Sequence, residues 1–134
     1  MNWKLIFTLS LFGVAMAFAT VFGIISETEP YLWFLIFIFY AVWIVRHVDG
    51  KYFLHGFLVS VINGVWISII HAAFFSTYIA NNPEQMDAYA KFPQSISPRI
   101  MILIVGPVIG AITGLVAGLF ALIAGKLLKK TPSA

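Results

Sequence analysis

The sequence predicts an all-α membrane protein, a bundle of four transmembrane helices, and three observations predict it. Hydrophobic residues make up 61% of the 134 positions and charged residues only 10%, whereas a soluble domain carries about 25% charged residues. The charges fall in the gaps between four long apolar stretches. Along two of those stretches small residues recur every fourth position, which is the spacing of one helix face. The length fits a single domain over residues 1–134, with no room for a separate soluble catalytic module. With 0 cysteines, disulfides, thiol catalysis and cysteine-ligated metal centres are excluded.

The elements follow in order. Residues 5–25 are uncharged and long enough to cross a hydrocarbon core of about 30 Å. Lys4 ahead of them, with Ala15-Met16-Ala17 and Ala17-Phe18-Ala19 within them, has the outline of a signal peptide. The apolar run continues beyond those sites, which favours a retained span. Residues 30–46 form the second span, opened by Pro30 as first helical residue and closed by Arg46 reaching toward the interface. This span is rich in aromatics and nearly devoid of small residues, so it is expected at the lipid-facing periphery. Residues 52–80 exceed what a bilayer requires and are expected to tilt or protrude. In the long connection, Asn82 reads as an N-cap and Pro83 as the first helical residue. Met86, Tyr89, Ala90 and Phe92 then give an apolar side, predicting a short amphipathic helix on the outer surface, ended by Pro93. Ser97 and Pro98 start the fourth span, residues 98–125, within which Pro107 cannot donate to the Leu103 carbonyl and a kink is expected.

Charge placement orients these spans. Lys4, Arg46, Lys51, Lys126, Lys129 and Lys130 lie on one side with Asp49, whereas Lys91 and Arg99 share the other with Glu27, Glu29, Glu84 and Asp87. The positive-inside rule then places both termini in the cytoplasm. The net charge of +3 thus reflects topology and gives no ground for a nucleic-acid partner, which would need a clustered basic face. The basic side suits a lipid bilayer carrying anionic headgroups.

The third span carries Gly56, Ser60, Gly64, Ser68, Ala72 and Ser76 at four-residue spacing, and the fourth carries Gly106, Gly110, Gly114 and Gly118. Ala15, Ala19 and Gly23 form a shorter row in the first. Such rows, of the glycine-zipper kind, let backbones approach closely, which is where helix association in lipid gains its van der Waals energy. The seams are expected to pack on one another within one chain; a homo-oligomer is the alternative use of the same surface.

Apart from Arg46 and Arg99 at the interfacial ends, no Asp, Glu, Lys or Arg lies inside a span. Proton-coupled transport through a mid-membrane carboxylate and carboxylate-based hydrolysis are therefore excluded. The three histidines are too far apart along the chain to supply a zinc site. Neither catalytic residues nor a cofactor are expected. His71 is the one ionisable side chain deep in a span. Asn63, Ser68 and His71, with Thr113 opposite, are either a polar ligand, ion or proton site or an interhelical hydrogen-bond clamp.

The run Arg46-His47-Val48-Asp49-Gly50-Lys51-Tyr52-Phe53-Leu54-His55-Gly56-Phe57, then Tyr78-Ile79-Ala80-Asn81-Asn82-Pro83-Glu84, then a glycine-rich last span ending in Lys129-Lys130, resembles a family of short four-span bacterial membrane proteins known only as a domain of unknown function. The chain is somewhat shorter than usual for that family, with a compact outer loop. The resemblance implies a bacterial inner-membrane location and the four-span fold, and brings no activity with it. The expected role is non-enzymatic, an accessory or scaffold in a membrane complex with a membrane-protein partner. The alternative is a small transporter or channel whose polar site lies around Asn63 and His71.

Overall fold

The computed structural model describes residues 1–25 and 27–129. Its elements are helices: α1 (Trp3–Val21), α2 (Glu29–His47), α3 (Tyr52–Ala73), α4 (Phe75–Asn81), α5 (Glu84–Tyr89) and α6 (Pro98–Leu128). There is no strand among the described residues. Four of them, α1, α2, α3 and α6, are long and apolar enough to cross a membrane. The expected Lys130 lies outside the described residues.

Local chemistry sets the helix ends. Asn2 caps α1 by accepting from the Leu5 N–H at 3.0 Å. The same helix stops at Val21, short of residue 25, because Gly23 adopts φ +68°. Its N–H then donates to the Thr20 carbonyl at 3.0 Å and the Ile24 N–H to the Ala19 carbonyl at 2.9 Å, the paired bonds of a Schellman motif. Ser97 caps α6 as expected, accepting from the Ile100 N–H at 3.3 Å. From Pro98 the helix runs without interruption through Pro107 and on to Leu128, a length of about 46 Å at 1.5 Å per residue.

Two expected boundaries are corrected. The long third stretch is not one helix: it breaks at Phe74 (φ −105°, ψ 36°), and α4 starts a new direction. Ser76 therefore leaves the small-residue row and is exposed. Asn82 does not cap the loop helix, since α5 begins at Glu84 with Pro83 before it. Instead Asn82 is buried, and its amide donates to the carbonyls of Thr20 at 2.8 Å and Tyr78 at 2.9 Å. Asn81 likewise donates to Val21 at 3.0 Å. Both asparagines use the main-chain acceptors that the end of α1 leaves open, so they bind α4 to α1.

α3 is the central helix, packed most extensively on α6 and then on α1, while α2 leans on α6 and touches α1 only slightly. One core cluster joins Leu5, Ile6 and Leu9 of α1 to Phe37, Tyr40 and Ile44 of α2, Val59 of α3 and Ala117 and Ala121 of α6. A second gathers Ala17, Val21, Ile70, Tyr78 and Ile102 at the opposite end. The start of α1, the α2–α3 turn and the end of α6 meet at one end of the bundle. There the Asn2 N–H donates to His55 Nε2 at 3.1 Å, and Lys129 reaches the Val48 carbonyl at 2.7 Å.

Candidate functional site

The small residues of α3 and α6 bring the two backbones into contact. A Cβ built on Gly56 would stand 2.6 Å from the Ala117 carbonyl oxygen, and one on Gly110 2.8 Å from that of Ser60. Gly64 faces Gly106 and Gly110 in the same way, and Gly106 lies against Ser68. Further along, aromatic rings cover the glycines, Phe57 over Gly114 and Phe53 over Gly118. No carbon could be added along this row without moving a main chain or a ring. Ala72, at the far end of α3, is half-buried beside the second core cluster.

The polar residues expected to form one site are distributed along α3, each with its own surroundings. Thr113 meets Ser60, not His71: the two hydroxyls are 2.9 Å apart. Thr113 donates its proton to Ile109 at 2.8 Å, so Ser60 is the donor between them. The Ser68 hydroxyl donates to the Val65 carbonyl of its own helix at 2.9 Å. Asn63 is buried and its amide donates to the Tyr40 hydroxyl of α2 at 3.0 Å. Its Oδ1 has no hydrogen-bond partner and packs against Gly13 of α1. His71 is stacked on Tyr78 of α4, ring centroids 4.1 Å apart and planes at 17°. Its Nε2 is buried without a hydrogen bond.

Three partners were hidden in the sequence. Tyr40 lies in a run so aromatic that nothing distinguishes it, yet it is wholly buried and carries the bond to Asn63. Ser10, also wholly buried, accepts from Trp66 Nε1 at 3.1 Å and so joins α1 to α3. Tyr78 faces His71 only because α4 turns away from α3. Ser10 alone left a trace, as one of three hydroxyls, with Thr8 and Thr20, in an otherwise apolar stretch, each of which in lipid must find a partner.

At the basic end, two adjoining surface concavities share Asn2 and His47. The larger, about 600 Å³, is also lined by Asp49, Gly50, Lys51 and His55. The smaller, about 210 Å³, is lined by Lys4, Leu5 and Thr8. Asp49 is turned to Lys129, its Oδ1 at 3.0 Å from Nζ. That hydrogen bond holds the Lys129 ammonium above the ordinary lysine range. His55 is buried with its tautomer fixed, Nδ1–H donating to the Lys51 carbonyl at 2.8 Å and Nε2 accepting from Asn2. No group of three or more metal-ligating side chains occurs among the described residues.

These features define an all-helical chain with four candidate membrane spans. Compared with family models, with curated proteins and with solved structures, it shows no match.

Proposed function

We propose that the chain is a non-enzymatic accessory or scaffold subunit of a bacterial inner-membrane complex, with the basic end of the bundle in the cytoplasm. The observation that carries this reading is the α3–α6 seam. Its small residues are used up in backbone contact within one chain, from Gly56 against Ala117 to Gly64 against Gly106 and Gly110. A conduit along that face would need space where main chains touch. The spanning helices hold no carboxylate beyond Glu29 in the first turn of α2, and the one deep histidine is stacked on a tyrosine rather than paired with an acid, so general acid–base chemistry lacks its second group. The resemblance to short four-span bacterial proteins and the bias of bases to one end support the location and orientation.

Affinity purification in mild detergent followed by mass spectrometry tests this. A stoichiometric membrane-protein partner that becomes unstable in cells lacking this chain is the expected result. A homo-oligomer without such a partner overturns it.

A second reading, a small transporter or channel, draws on the unpartnered Asn63 Oδ1 and His71 Nε2. Buried polar atoms without partners cost about 1–3 kcal/mol each, and a passing ion or polar solute would satisfy them. Asn63 Oδ1 lies against α1 rather than α6, and α3 packs less extensively on α1 than on α6. Solute or proton flux into proteoliposomes that is abolished in His71→Phe would favour this reading over the first.

A further inference from the structure

We propose that the cleft between α1 and α2 at the basic end is a binding site for one phospholipid with an anionic headgroup. Two independent features converge there on His47. The first is charge. Lys4 and Lys51 stand at the paired concavities beside His47 and Asn2, and among the described residues neither lysine forms an ion pair. Among the described residues the one acid at this end, Asp49, lines the larger concavity and is engaged by Lys129 from α6. Lys4 and Lys51 therefore keep uncompensated positive charge in the lining. His47 Nδ1–H is spent on the Trp43 carbonyl at 2.8 Å, which fixes the ring against its own helix.

The second feature is an aromatic ladder leading to the same point. Phe12 of α1 lies 5.3 Å from Phe39 of α2, Phe39 stacks on Trp43 at 5.3 Å, and Trp43 stacks on His47 at 4.6 Å. All four rings are exposed. The ladder is an exposed aromatic strip that runs along α2 from its contact with Phe12 at mid-span to the concavities. An acyl chain laid along Phe12, Phe39 and Trp43 brings its phosphate past His47 to the ammonium groups of Lys4 and Lys51. A neutral zwitterionic lipid would cover the aromatic strip but leave the lysine charges unanswered, whereas an anionic one satisfies both, with each lysine near a surface adding electrostatic attraction. The inference is independent of the accessory role: it holds whether or not a protein partner exists.

Native mass spectrometry of the full chain, purified in detergent and supplied with dioleoyl phosphatidylglycerol or dioleoyl phosphatidylcholine, tests the site. One phosphatidylglycerol should be retained at least fivefold more than phosphatidylcholine. Lys4→Gln with Lys51→Gln should bring the two lipids level, while Lys126→Gln, which removes an exposed base of α6 that lines neither concavity, should leave the preference intact. Phe39→Ala should lower retention of both lipids. Far-ultraviolet circular dichroism and gel filtration identify any variant that fails to fold. Should Phe39→Ala unfold, Trp43→Leu replaces it. Equal retention of both lipids by the unaltered chain, or equal loss of preference in Lys126→Gln, overturns the proposal in favour of diffuse annular binding. Displacement of the lipid by millimolar inorganic phosphate overturns it in favour of a soluble anion.

Discussion

Gly56→Ala should weaken the bundle by about 1–3 kcal/mol, the usual cost of forcing an extra carbon into a packed interface. The added Cβ would stand 2.6 Å from the Ala117 carbonyl oxygen, 2.9 Å from its carbon and 3.1 Å from Gly118 Cα, where ordinary contact begins at 3.4 Å. All three atoms are main chain of α6, so no side chain can rotate away. α3 must retreat by about 0.8 Å, and a gap of 0.5–1 Å forfeits about a quarter to a half of each dispersion contact it opens. In the opposite direction, alanine gains about 1 kcal/mol over glycine as a helix former in water. Less of that is realised here, because a span unpacked in the membrane is already helical. Gly50→Ala is the control, since nothing lies within 4 Å of its Cβ position. Unfolding with increasing SDS in mixed micelles, followed by tryptophan fluorescence, measures both. If Gly56→Ala is as stable as Gly50→Ala, the two backbones are not in contact there and the closed seam falls, taking with it the main support for a non-conducting role.

Three other outcomes follow from the polar groups. Tyr40→Phe and Asn63→Leu should each cost about 0.6–2 kcal/mol, but the double variant should cost less than their sum, because removing both partners leaves no buried orphan; strict additivity in the same unfolding assay would break the 3.0 Å bond between them. His71→Phe should keep stability within about 0.5 kcal/mol of the original, since it preserves the stack on Tyr78 and removes a nitrogen with no partner; a loss above about 2 kcal/mol would reveal a bound group at Nε2. For Lys129, the bond to Asp49 raises the folded pKa above the usual 10.5, so the pair contributes fully below that pH and is lost as the pH climbs through the raised value. NMR titration of the Lys129 side chain should show the midpoint returning to the ordinary range in Asp49→Asn, and an unchanged midpoint would contradict the contact.

The spans could be read from the sequence because a bilayer imposes a simple rule: a long uncharged run must be helical, and its ends must reach charge or a cap. Ser97-Pro98 and the uncharged runs obey it closely. The break at Phe74 escapes the rule, since neither glycine nor proline occurs between Gly64 and Pro83 to mark it. It arises from tertiary structure, where Asn81 and Asn82 capture the open carbonyls at the end of α1 and draw α4 off the axis of α3. Tyr40 escapes for another reason: its role depends on which way one ring among many points. The seam shows most clearly where sequence reasoning stops. A four-residue repeat identifies the face of α3 and the face of α6, but sliding one helix past the other by four residues restores the same pattern, so the repeat cannot choose a register. The choice falls to groups that occur once. Gly56 meets Ala117 and Gly64 meets Gly106, the antiparallel pairing in which Ser60 reaches Thr113. In that same pairing Phe57, Phe53 and Tyr52 fall over Gly114, Gly118 and Gly125. A slip by one repeat would strand the Ser60 hydroxyl and move Tyr52 from Gly125 onto Ala121 or Lys129, whereas Phe57 would meet a glycine in either direction. The glycines thus supply the closeness, and the single hydroxyl pair and the Tyr52 ring supply the uniqueness.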